Sequence, residues 1–132
     1  MKPSLQAVLG VLTIIPLVFG VLNFWLGAAM HMPAEHVNPN IDSHVRFQFT
    51  WFFGIAVLFW YMIPRIEDHT TLFRIIVAVM FMGGLGRLLS ISQVGMPDTP
   101  IVTAMVLELL MPLLIPWQSA VARVAMLEQS TD

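Results

Sequence analysis

The sequence predicts an all-α integral membrane protein, an up-down antiparallel bundle of four transmembrane helices with both termini cytoplasmic. Three observations predict it. Hydrophobic residues make up 58% of the 132-residue chain and charged residues only 11%, far below the about 25% charged of an ordinary soluble domain. The mean hydropathy is +0.82. The apolar residues gather in four runs of roughly 20, the length that crosses a bilayer core as a helix. A chain this short suits one domain. A small soluble domain buries only about 60–70% of its chain surface, so lipid must cover the remainder. Barrel strands would need strict alternation, and unpaired backbone cannot face lipid, which leaves helices.

The first span, about residues 3–30, carries no charge. Lys2, the apolar run and the small residues Gly27, Ala28 and Ala29 imitate a signal peptide. The run exceeds an ordinary signal core, so a retained helix is expected. Thr13, Pro16, Gly20, Asn23 and Gly27 recur at spacings of three and four, forming one stripe whose small members admit a close neighbour. A polar loop at 31–44 follows, with a turn signal at Asn38-Pro39-Asn40. The second span is expected at about 45–63. Asp42, Arg46 and Thr50 are spaced by four and line its outer entrance. A solvated loop at 65–71 leads to the third span at about 72–94, which contains Arg87. Gly83, Arg87 and Ser90 share one face there, with Gly84 and Gly86 adjacent. A tight turn at 95–100 leads to the fourth span at about 101–122, which contains Glu108. Pro112 cannot donate to the Glu108 carbonyl, so a free carbonyl is expected beside the carboxylate. The tail 128–132 is expected to be loose.

Orientation follows from the positive-inside rule. Lys2, Arg65, Arg74 and Arg123 fall on one side; the other has Arg46 beside Glu35, Asp42 and Asp98. Trp25 and Trp51 fall toward the outer interface, and Trp60, Tyr61 and Trp117 toward the inner one, as aromatic belts do.

The chemistry on offer is sparse. A net charge of −2 gives no reason to expect nucleic acid. With no cysteine there are no disulfides, thiolate metal sites or cysteine nucleophiles. Ten methionines read as flexible filler of apolar helices. His31, His36 and His44, with Glu35 and Asp42 near, match no compact metal-ligand spacing. Neither a metal nor a cofactor is expected. Ser90 and Ser92 have no base nearby, and no glycine loop suits a phosphate.

Arg87 and Glu108 carry the one sharp signal. Each lies about seven residues from the turn joining its helices, roughly 10 Å deep at 1.5 Å per residue. An unpaired charge in hydrocarbon costs at least about 2.5–3.5 kcal/mol, so the two are expected to meet. Asn23 falls at nearly the same depth. The expected lining of a polar chamber is Asn23, Arg46, Thr50, Arg87, Ser90 and Glu108, with Asp42 and His44 at its entrance. Several readings stay open. The pair locks two helices together. It grips the polar head of a lipid or other small amphipathic ligand. The protein serves as an accessory subunit of a larger membrane complex, or as a homo-oligomer. Finally, Glu108 acts as acid or base in an isomerase-type enzyme, against which stands Arg87 at the same depth.

The segments Asp42-Ser43-His44-Val45-Arg46-Phe47, Gly83-Gly84-Leu85-Gly86-Arg87-Leu88-Leu89-Ser90, Val94-Gly95-Met96-Pro97 and Leu107-Glu108-Leu109 resemble a family of small bacterial four-helix membrane proteins of unknown function. More loosely, they resemble the DoxX-like proteins. The first resemblance spans nearly the whole chain. It implies a multi-pass protein of the bacterial inner membrane and supplies no reaction. The family's recurring acid, arginine, Gly-Gly-Leu-Gly-Arg run and late glutamate map onto Asp42, Arg46, Arg87 and Glu108. His44 falls between the acid and the arginine, outside that pattern. The DoxX-like comparison points to quinone or redox partners, which a chain without cysteines or a clear haem pair does not support.

Overall fold

The computed structural model describes residues 1–130. It is 88% helical, with no strand among the described residues and four helical spans long and apolar enough to cross a membrane. Helix α1 runs Lys2–Leu26, α2 Pro39–Met62, α3 Thr70–Val94, α4 Thr99–Leu110 and α5 Leu114–Gln129. Short 3-10 turns follow α1 and α2 and join α4 to α5. The chain divides into two compact units, Lys2–Pro64 and the part from Arg65 onward.

The first unit is an antiparallel hairpin of α1 and α2. The stripe read from the sequence is the buried one: Thr13, Pro16, Gly20 and Asn23 are buried, along with Leu5 and Leu9. On α2 the buried residues are Ala56, Phe59 and Met62. Gly20 sets the closest approach. A Cβ there would lie 3.2 Å from both the Phe49 oxygen and the Phe53 nitrogen, so any larger residue would push the helices apart. Two polar pins close the end nearer the N-terminus. Gln6 Nε2 donates to the Ile63 carbonyl at 2.7 Å. Trp60 Nε1 donates at 3.1 Å to the buried Thr13 hydroxyl, which itself donates to the Gly10 carbonyl at 2.8 Å.

Helix α2 begins six residues before its apolar run. Asn38 caps it, accepting from the Asn40 and Ile41 amides at 3.1 and 3.0 Å, and Pro39 fills the first turn. Both are helix-start chemistry. The first turns are therefore helical though polar, which hydropathy alone does not register.

The second unit packs α3 against α4 and α5. Its core comprises Ile66, Phe73, Ile76, Val77, Met105, Met111, Val121 and Ala122. Gln118 is fully buried, donating through Nε2 to the Ile66 carbonyl and the Thr70 hydroxyl, both at 2.9 Å. Val79, Met82, Leu88 and Leu89 of α3 remain exposed, as side chains facing lipid do.

The fourth span is broken, and the break corrects one expectation. Glu108 does not keep a free carbonyl. The Met111 amide, one residue before the proline, donates to it. Pro112 removes the regular donor, and the chain answers by tightening Met111–Leu113 into a 3-10 turn. The helix then resumes as α5 and continues to Gln129, past the expected end and through the start of the tail. Thr131 and Asp132 of that tail lie outside the described residues.

Candidate functional site

The loop end of the first hairpin is held by a clamp built from Asp42 and Arg46. Arg46 Nε donates to Asp42 Oδ2 at 2.7 Å. Arg46 Nη1 donates to the Phe24 carbonyl, and to the Trp25 carbonyl at 3.1 Å. These are carbonyls of the last turn of α1, which a helix leaves without intrahelical donors and where a cation is favourable. Asp42 Oδ1 accepts from the Ala28 amide at 2.9 Å. Gly27 makes the clamp possible. Its φ is +60°, a region natural to glycine. A Cβ there would overlap the Asp42 carboxylate and lie 2.7 Å from Arg46 Nη2. Thr50 turns its hydroxyl back to the Arg46 carbonyl at 2.9 Å, and His44 is exposed. Thr50 also lines an apolar groove of about 260 Å³ with Gly20, Val21, Phe24, Trp25 and Phe53.

Asn23 is buried and has two partners. Its Nδ2 donates to the Phe19 carbonyl at 2.8 Å, which leaves Oδ1 to accept from His31 Nε2. The ring stacks on Phe49, with centroids 5.5 Å apart and planes 13° apart. His31 is the residue that sequence reasoning undervalued, because nothing in the spacing of a loop histidine shows that a buried amide awaits it. Among the described residues no three His, Asp or Glu side chains converge on a point that could hold a metal.

The second unit brings Arg87 and Glu108 together. Arg87 Nε donates to Glu108 Oε2 at 3.0 Å. The Glu108 side chain is 10% exposed and that of Arg87 28%. Glycines on α3 make the room. At Gly84 a Cβ would lie 3.0 Å from Leu109 Cγ and 3.1 Å from Glu108 Cβ, and at Gly83 it would lie 3.7 Å from Glu108 Oε2. The contact uses one of the five guanidinium N–H donors. Among the described residues, neither terminal nitrogen of Arg87 and no hydrogen bond to Glu108 Oε1 completes the set. Ser90 is exposed and joins neither side chain.

Of the six expected chamber residues, Asn23, Arg46 and Thr50 make their contacts within the first unit, and Arg87 and Glu108 make theirs within the second. Within the first unit Arg46 and Asn23 are engaged by their own neighbours. Within the second, Arg87 and Glu108 engage each other and keep polar capacity to spare.

Residues 4–118 match the model of a family described as Domain of unknown function (DUF4345). The match covers most of the chain and includes every residue of both clusters. The chain belongs to that family. No curated protein and no solved structure matches it.

Proposed function

We propose that this DUF4345 protein is a multi-pass protein of the bacterial inner membrane that binds a lipid or other small amphipathic molecule by its polar head at Arg87. Glu108 orients the guanidinium, and the apolar faces of the spans accommodate the tail. One observation carries the reading: within a membrane-spanning helix, Arg87 is held through Nε alone, and its terminal nitrogens have no acceptor among the described residues. Unmet donors of a charged group are costly in hydrocarbon. A pair serving only as a lock would be expected to satisfy itself, since buried ion pairs stabilise only when their remaining donors are met. The one-sided distribution of Lys2, Arg65, Arg74 and Arg123 supports a cytoplasmic location for both termini.

Native mass spectrometry of protein extracted in mild detergent tests it. Wild type should retain a ligand, Arg87→Ala should lose it, and Glu108→Gln should hold it more weakly. A wild-type spectrum without adducts, or equal retention by Arg87→Ala, would refute the reading.

A further inference from the structure

Resting on that reading, we infer that the Arg87–Glu108 site selects a zwitterionic headgroup bearing a phosphate and a primary ammonium, in preference to a net anion. Arg87 and Glu108 sum to zero, and no second cation stands close in sequence: Arg74 lies 13 positions before Arg87 (87 − 74). An anionic head would leave one uncompensated negative charge in a medium of low dielectric, where net charge is heavily disfavoured. A zwitterion leaves none.

The free atoms point the same way. The pair uses Arg87 Nε and Glu108 Oε2. What it leaves is a donor edge, the two terminal nitrogens of Arg87, and an acceptor, Glu108 Oε1. Nε and Oε2 lie 3.0 Å apart, so both unused groups belong to one ion pair. A phosphate suits the guanidinium edge, which matches its oxygens bidentately. An ammonium linked to that phosphate by a two-carbon bridge would donate to Oε1. A primary ammonium has N–H groups to donate there; a quaternary one has none. The glycines at 83 and 86 put no side chain beside the pair, and a Cβ at Gly86 would meet nothing within 4 Å.

The test is a competition. Full-length protein is equilibrated with vesicles holding equal mole fractions of phosphatidylethanolamine, phosphatidylglycerol and phosphatidylcholine, and retained lipid is counted by native mass spectrometry. Phosphatidylethanolamine should exceed each of the others by about tenfold, the ratio that one good charge-assisted hydrogen bond supplies. Glu108→Gln should erase that preference and raise phosphatidylglycerol, because the site then carries a net positive charge. The wild-type competition decides the matter even if the variant folds poorly. Phosphatidylglycerol bound as well as or better than phosphatidylethanolamine overturns the inference, as does equal retention of phosphatidylcholine; in both cases lipid binding at Arg87 survives. Retention of no lipid removes the underlying reading and this inference with it.

Discussion

Alanine at Gly84 and alanine at Gly86 should act in opposite directions, although the two glycines lie two residues apart on α3. Replacing glycine by alanine inside a helix gains about 1 kcal/mol of backbone propensity. At Gly86 a Cβ meets nothing within 4 Å, so the variant should be up to about 1 kcal/mol more stable by that propensity. At Gly84 the same methyl group meets Leu109 Cγ at 3.0 Å, Glu108 Cβ at 3.1 Å and Leu109 Cδ2 at 3.1 Å. Leu109 can rotate aside, but Glu108 Cβ is fixed to the α4 backbone. Forced packing of this kind costs about 1–3 kcal/mol. The two variants should therefore differ by about 1–3 kcal/mol, with Gly86→Ala the more stable. Reversible unfolding in mixed micelles, followed by tryptophan fluorescence and circular dichroism, measures the difference. Gly84→Ala should also weaken ligand retention, because it displaces the strand of atoms that carries Glu108. Equal shifts of the same sign at both positions would refute the close approach of α3 and α4 at Gly84.

Three further outcomes are expected. Gly27→Ala should cost about 3 kcal/mol, combining the left-handed backbone penalty with loss of the Ala28 hydrogen bond to a charged acceptor; a thermal melt unchanged from wild type would contradict the clamp. Glu108→Ala should destabilise by about 3 kcal/mol by stranding Arg87, while the double variant Arg87→Leu with Glu108→Leu should fall within about 1 kcal/mol of wild type and yet retain no ligand; a double variant as unstable as the single one would show the pair to be structural only. Thr13→Val and Trp60→Phe should be coupled by about 0.5–1.5 kcal/mol in a double-mutant cycle, and additive effects would mean that the hydrogen bond between them contributes nothing.

Much of the fold was legible in the sequence because a bilayer imposes one simple rule. Runs of apolar residues long enough to cross it must be helical. The spacing of Thr13, Pro16, Gly20 and Asn23 gave the packed face of α1, since small and polar residues at intervals of three and four have one side of a helix in common. The meeting of Arg87 and Glu108 followed from depth alone, because two helices joined by a short turn place equal distances from that turn side by side. Other features were hidden. Helix α2 starts among polar residues, where the Asn38 cap and Pro39 matter more than hydropathy. The carbonyl of Glu108 is claimed by Met111, since a proline inside a helix is often absorbed by a local 3-10 turn and leaves no open acceptor. The spacing of Arg46 suggests chamber lining, whereas its engagement with the end carbonyls of α1 depends on the backbone direction at Gly27, which no side-chain pattern encodes. The pairing of His31 with Asn23 depends likewise on how a short loop folds back.

The central claim is that Arg87 presents its terminal nitrogens to the polar head of a bound molecule. The most direct measurement is a high-resolution density map of the protein purified with its native lipids. An elongated feature is expected, its head within hydrogen-bond distance of those nitrogens while Nε stays on Glu108. A bidentate pair closed on itself, with no density beside it, would contradict the account.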